Sequence, residues 1–336
     1  METRRLDGRG RKPQVASMKA IRVHQFGGPE VLRWEEVPDP KPGRTQVLIR
    51  TGAVGVNPVE TYLRSGINTK LALPYTPGTD AAGEVLATGD GARAWQKGTR
   101  VYTSGSVSGT YAEMVLCEEA DVHALPERLS FAQGAAVNIP FATAYRALFQ
   151  RARVVPGEFV LVHGGSGGVG TSAIQLARNA GLKIIATAGT PKGKELLRQL
   201  GAHHVLNHRK PDYLSEIMAI TAGRGVDAIL EMLANVNLGK DLGILAMNGR
   251  VVVIGNRGKV ELDAREAMTR DADIRGMVLF NVSAGEKASI HAALGAGLEN
   301  GTLTPVIGQE LPLAEAARAH EQIMEPGAHG KIILMA

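Results

Sequence analysis

The chain has 336 residues, 44% of them hydrophobic, enough for one large core or two ordinary ones, and two domains are the expectation at this length. Its single cysteine, Cys117, excludes an intramolecular disulfide or a site built from several thiolates, and points to a reducing, cytoplasmic setting. The formal charge is +5, but residues 1–17 hold five Arg or Lys against two acids, so the rest is near neutral and lacks the basic field of a nucleic-acid binder.

The opening stretch METRRLDGRGRKPQVAS has too few apolar side chains to offset its ordering entropy, and a basic, disordered extension over 1–17 is expected. It lacks the apolar centre of a secretory signal, and Glu2 and Asp7 count against a mitochondrial presequence. Met18 starts the strand-like string MKAIRVHQFG and is a second candidate for the start of translation. No window approaches the roughly eighteen uninterrupted apolar residues of a membrane helix. Residues 18–136 read as short strands and turns, among them KAIRVHQF, QVLIRTGAVGV, AAGEVLATG and TYAEMVLC, forming a mostly β unit. In FAQGAAVNIPFATAYRALFQ the apolar period changes to about 3.6, and a helix is expected to lead into a second unit over 137–279.

There strands and helices alternate: EFVLVHG, TSAIQLARNAG, KIIATAG, PKGKELLRQLGA, HHVLNH, DYLSEIMAIT, VDAILEML, LGKDLGILA, RVVVIG and DIRGMVLF. Six apolar strands joined by short connections describe an α/β fold with a doubly wound parallel sheet. Thr190 and Pro191 suit an N-cap and first helical residue, and Gly181 and Gly201 stand where helices end. Residues 280–336 return to helix plus strand and are expected to pack back on the first unit.

Gly165, Gly167 and Gly170 spell G-x-G-x-x-G between the strand EFVLVHG and a helix starting near Val169. One glycine permits the tight turn, one lets backbone N–H groups approach a pyrophosphate, and one lets the helix lie close on the strand. Ser166, Gly168 and Val169 complete the loop, and the diphosphate is expected at the helix N-terminus. A turn serving packing alone is the competing reading. An NAD-binding unit carries Asp or Glu at the tip of its second strand to accept from the ribose 2′-OH. Here Gly189 and Thr190 stand at that tip, with Lys192 and Lys194 close by, which selects NADPH over NADH. The lysines also suit a solvated helix start.

The strings FGGPEVL, GVNPVETYLRSG, LPYTPGTDAAG, HGGSGGVG, TAGT, NHR, EMLANVNL and VIGNRG resemble the quinone oxidoreductase (ζ-crystallin) branch of the medium-chain dehydrogenase/reductase superfamily, over roughly residues 18–336. The resemblance implies a GroES-like fold for 18–136, a Rossmann domain for 137–279, a return to the first domain in 280–336, and a homotetramer or dimer. It implies NADPH-dependent reduction of quinones, ortho-quinones among them, in a detoxifying role. Carried across by motif, it places Ser166, Gly167, Gly168 and Val169 at the diphosphate, Gly189 at the strand tip, His208 of NHR on the adenosine side, and Asn237 of EMLANVN in the cofactor site. Ile254, Gly255, Asn256 and Arg257, with a strand through Met277, Val278 and Leu279, would flank the nicotinamide half; a surface role for Arg257 stays open. Asn57 and Tyr62 would lie near the nicotinamide and the acceptor, Tyr62 either donating to the acceptor oxygen or packing on the ribose. Thr143 of PFATAY would form a polar wall of the cleft or serve packing.

Alcohol dehydrogenases of the superfamily hold catalytic zinc through a Cys in the segment matching GAVGVNPVE and a His-Glu pair in that matching PGTDAAG. Here those places hold Val54–Asn57 and Gly78, Thr79 and Asp80, so no metal site is expected. The cofactor would then do the chemistry and the protein supply position and a dry slot, which suits a planar, electron-poor quinone. An enone or enoyl reductase needs the same hydride and is the alternative. AU-rich RNA binding through the cofactor domain is a further alternative that the 14 Phe, Trp and Tyr residues and the near-neutral body do not support.

Overall fold

In the computed structural model, which describes residues 16–67 and 70–336, the chain starts with an antiparallel ribbon of β1 (Ser17–Val23) and β2 (Leu32–Pro38). The basic extension lies outside the described residues up to position 15, and Ser17 already pairs with Pro38. Next come β3 (Gln46–Gly55), α1 (Pro58–Ser65), β4 (Asp80–Thr88), β5 (Arg100–Thr103), β6 (Met114–Glu118), β7 (Val122–Ala124) and α2 (Phe131–Gly134). The expected linking helix is irregular: α3 (Thr143–Tyr145) lies between the π-helical segments Asn138–Ala142 and Arg146–Ala152. Wide turns of this kind recur at functional sites.

The cofactor half runs β8 (Phe159–Val162), α4 (Gly168–Asn179), β9 (Lys183–Thr187), α5 (Pro191–Gln199), β10 (His204–Leu206), α6 (Tyr213–Ile220), β11 (Val226–Glu231), α7 (Ala234–Asp241), β12 (Leu245–Val253), α8 (Ala264–Met268) and β13 (Asp273–Gly276). Its six strands pair in parallel in the order β10-β9-β8-β11-β12-β13. That is the Rossmann order, whose switch point lies between β8 and β11 and opens a crevice at the strands' C-terminal ends. Both faces are covered, and the pleat divides the strands between two cores. Val160, Val162, Ile184 and Ala186 pack with α4 and with α9 (Ala284–Asn300). Leu161, Ile185 and Ile229 face Tyr213 and Ile217 of α6 on the other side.

The last cofactor-domain strand ends at Gly276, short of the Leu279 expected. β13 is the sheet edge, with β12 its one neighbour in the sheet. After Met277 N–H donates to Val253 O at 3.1 Å the chain leaves the sheet, Val278 is exposed, and Leu279 opens a 3₁₀ turn. The C-terminal segment adds β14 (Ile307–Pro312), α10 (Ala316–Gln322) and β15 (Lys331–Met335). β15 pairs antiparallel with β3, so the chain's end completes the seven-stranded sheet that its beginning started. Among the described residues no helix is long and apolar enough to cross a membrane.

Candidate active site

The glycine loop leaves β8 at the switch point. Gly164 sits in the left-handed region (φ 57°), and Gly165 N–H donates to Thr187 O of β9 at 2.8 Å. A Cβ on Gly170 would stand 2.5 Å from the Cα of Gly165, so glycine there lets α4 lie against the loop. Gly167 precedes α4 and contributes no side-chain cap. The first-turn N–H groups and the positive helix end therefore suit an anion. A Cβ on Gly167 would meet nothing nearer than Ala328 at 3.6 Å, leaving room for a ligand to approach. Ser166 ties the loop to the C-terminal segment: its hydroxyl donates to Ala328 O and its carbonyl accepts from Gly330 N, both at 2.7 Å.

At the tip of β9, Thr190 caps α5 by accepting from Gly193 N at 3.0 Å. A Cβ on Gly189 would lie 2.8 Å from Arg209 Nε and 2.9 Å from His208 Nε2. A guanidinium and an imidazole thus stand where an NAD-binding domain carries a carboxylate, a donor set that fits a 2′-phosphate. Arg209 escaped the sequence reading; its signal was its place directly after His208 in NHR. Lys192 lies on another side, near His329, where burial and then the Lys192 charge hold the imidazole below its ordinary pKa.

The remaining residues expected on the cofactor side follow the ends of β11, β12 and β13. A Cβ on Gly255 would fall 2.2 Å from Met232 O, so the two chains can approach only with glycine there. Asn237 Nδ2 donates to Glu231 Oε1 at 3.2 Å, and Asn256 closes a local turn onto Gly258 O at 2.7 Å. Ile254 N–H donates to Glu231 O at 2.9 Å. Arg257 crosses towards the first domain, with Nη2 3.9 Å from Met324 Sδ, the sulfur that also accepts from Thr61 Oγ of α1 at 3.4 Å. Met277 is buried, Val278 exposed and Leu279 half-buried against the main core.

On the other side of the crevice, Asn57 opens α1 in a capping box with Glu60 and is itself buried. Its Nδ2 donates to Asp80 Oδ2 at 3.0 Å, and its Oδ1 accepts from the buried ammonium of Lys331, which also lies 3.2 Å from Asp80 Oδ2. Asp80 Oδ1 accepts from Asn138 Nδ2 at 2.9 Å and from Ile139 N at 3.1 Å. Glu60 accepts from Tyr111 OH at 2.7 Å, and Tyr111 reaches His320 Nε2 at 3.1 Å. Burial pushes the Glu60 carboxyl up to about 7, against the pull of the Lys331 charge. Sequence reading named Asn57 alone from this cluster; Lys331, Asn138 and Tyr111 come from remote segments that left no local pattern.

A cavity of about 190 Å³ adjoins this network, with Ser104, Asn138, Ile139, Ala142, Leu279 and Phe280 among its walls. Thr143 is buried and is not among the walls of this cavity, to which the preceding π-helical segment presents Asn138, Ile139 and Ala142. Tyr62 stands half-buried on α1, just over one turn beyond Asn57.

Two family models match the chain: alcohol dehydrogenase GroES-like domain over residues 43–127 and zinc-binding dehydrogenase over 168–294. A human quinone oxidoreductase is 52% identical over 321 residues, covering 95% of this chain and 98% of its own length. The chain belongs to the quinone oxidoreductase family. Two solved structures align with it over 95% of its length. The Escherichia coli quinone oxidoreductase complexed with NADPH gives a TM-score of 0.86 at 28% identity over 100% of that chain. The CurK enoyl reductase gives 0.87 at 28% identity over 99% of that chain.

The zinc in one family model's description can be tested against the residues present. The segments around Asn57 and Asp80 do meet in space, but what they surround is the Lys331 ammonium. Cys117 is buried, donates to Gly105 O at 3.2 Å, and has its thiol pKa pushed well up by burial. Among the described residues the one cluster of potential metal ligands is His163, Glu231 and Asp241, enclosed within the cofactor domain. There Asp241 Oδ1 lies 2.9 Å from His163 Nε2, and the two carboxylates outweigh burial to raise the His163 pKa. The residues at the crevice therefore do not fit a catalytic zinc.

Proposed function

We propose that this member of the quinone oxidoreductase family reduces quinones, ortho-quinones in particular, with NADPH and without a metal ion, in a detoxifying role. The observation that carries the reading is the tip of β9, where Gly189 lies beside His208 and Arg209 and no Asp or Glu occurs from Lys183 to Lys194. The glycine loop and the N-terminus of α4 would hold the diphosphate, and Arg209 with His208 the adenosine phosphate. NADPH, when bound, supplies the hydride. Ile139, Ala142 and Leu279 give the acceptor cavity apolar walls that limit water, and the Lys331–Asp80 pair holds Asn57 in one orientation. Tyr62 is not among the walls of this cavity, and its proposed place is against the nicotinamide ribose.

The test is oxidation of NADPH, against NADH, with 9,10-phenanthrenequinone, a para-quinone and an α,β-unsaturated ketone, after dialysis against a chelator. Fast ortho-quinone turnover that prefers NADPH and ignores the chelator is expected. Consumption of the ketone alone would make the chain an enoyl reductase, and loss of activity on dialysis would overturn metal independence.

The proposed assembly is a homotetramer. Among the described residues β13 has a strand neighbour on one side, and Ile274, Met268 and Phe280 are exposed around that edge, a face that would pair two copies about a two-fold axis as half of such a tetramer. Light scattering should return four times the 35.5 kDa chain mass, falling on Ile274→Lys. A monomer at every concentration would sink this assembly.

A further inference from the structure

The acceptor cavity is separated from a second, larger one by a few side chains. The outer cavity, about 580 Å³, opens beside β7 and α9 and has Trp95, His123, Leu125, Glu127, His291 and Glu299 among its walls. His291 lines both spaces. Ser104, on the wall of the inner cavity, lies 2.9 Å through Oγ from Nε2 of His123, on the wall of the outer one. The fold imposes this arrangement. Tyr102 of β5 and His123 of β7 are direct cross-strand partners, which sets both rings on one face of the sheet. Ser104 follows β5 and its N–H donates to Asp121 O at 2.8 Å. The His291 ring from α9 stacks on His123 with centroids 3.9 Å apart and accepts or donates at Nδ1 to Tyr102 OH at 3.2 Å.

We propose that Ser104 and His123 form a proton relay that delivers a solvent proton from the outer cavity to the oxygen of the reduced acceptor. The inference rests on reading the inner cavity as the acceptor site. Reduction by hydride leaves a hydroquinone or enolate anion that needs one proton. In the relay the Ser104 hydroxyl gives its proton to that oxygen, His123 Nε2–H replaces it, and His123 Nδ1 takes a proton from water in the outer cavity. One proton enters from solvent, whose water carries the charge away as hydroxide, one O–H bond forms on the acceptor, and His123 ends as the Nδ1–H tautomer, which proton exchange with solvent returns to Nε2–H before the next turnover. A neutral imidazole is the form that can accept at one nitrogen while donating at the other. Burial, followed by the Lys287 charge, pushes His123 down to about 4, although Asp121 pulls the other way. Burial, then His123 and Lys287, pushes His291 down to about 3. Lys287 is itself paired with Asp121. Burial thus favours the neutral form of both rings near pH 7.

Ser104→Ala and His123→Gln are the variants to measure, the glutamine keeping a hydrogen-bonding side chain that cannot shuttle a proton. For the enone, whose product anion is the stronger base, kcat is expected to fall roughly a hundredfold with the KM for NADPH and the melting temperature unchanged. For the ortho-quinone, whose product anion is delocalised, the fall should be much smaller. The wild-type solvent deuterium isotope effect on kcat should disappear or change in both variants. Free imidazole, which the outer cavity can admit, should restore His123→Gly and leave Ser104→Ala unchanged, a rescue that a packing role would not produce. Variants within about twofold of the wild type in kcat with the enone, or with an unchanged isotope effect on quinone turnover where the enone is not a substrate, overturn the relay. A wild type that oxidises NADPH with neither acceptor overturns instead the reading of the site on which the relay rests.

Discussion

Lys331→Met is expected to destabilise the protein by about 3–5 kcal/mol and to remove most of its quinone turnover. Lys331 is 4% exposed and Asp80 1%, so the substitution leaves a buried carboxylate served only by Asn57, Asn138 and the Ile139 N–H. It also frees the Asn57 carbonyl that the ammonium holds. Adding Asp80→Asn should recover much of the stability, since a neutral network has no uncompensated charge, but little of the activity, since Asn57 still lacks its partner. The loss should also depend on pH. The Lys331 charge is the largest influence holding Glu60 down, and its removal raises a carboxyl already at about 7, above its ordinary 4.5. A carboxyl raised on folding adds stability that is full below its unfolded pKa and is lost as pH rises through the folded one. The deficit of Lys331→Met should therefore be larger at pH 8 than at pH 5. Chemical denaturation at the two pH values, with kcat measured alongside, checks this; a variant as stable and active as the parent would remove Lys331 from the account.

Gly189→Asp should invert the choice of cofactor. The new carboxylate would stand beside Arg209 and His208, whose nitrogens lie within 3 Å of where its Cβ must go, and would pair with them. That pairing takes away the cation that would receive a 2′-phosphate and sets a negative charge against it, while offering an acceptor to a 2′-OH. The KM for NADPH should rise roughly a hundredfold, about 3 kcal/mol, with that for NADH falling. The neighbours are flexible side-chain ends that can move, so the fold should survive. Steady-state kinetics with both cofactors decide it: an unchanged NADPH preference would mean that the adenosine phosphate is recognised elsewhere.

The glycine loop, the strand tip and the alternation around them were legible because each is written within a short stretch. Turn, helix start and missing carboxylate are local features, and a parallel sheet buried on both faces announces its strands as apolar runs. The end of β13 was misread for the opposite reason. DIRGMVLF is apolar throughout, but a sheet edge with a neighbour on one side stops pairing where the chain turns away, and the string does not record that. Arg209 was missed although adjacent to His208, since its direction depends on how β10 ends over the tip of β9.

Sequence alone determined the Rossmann order of elements, the place of the glycine loop, the absence of an acid at the β9 tip and the poverty of thiolate ligands. These follow from periodicity, glycine placement and composition. Only the tertiary structure decided what fills the space between Asn57 and Asp80, because Lys331 reaches it from β15, more than 250 residues along the chain from Asp80. The same holds for Ser104, His123 and His291, brought together by a strand pairing and a helix docked across it. Burial then favours the neutral form of the two imidazoles, a property of the packed interior that no single stretch of the chain contains.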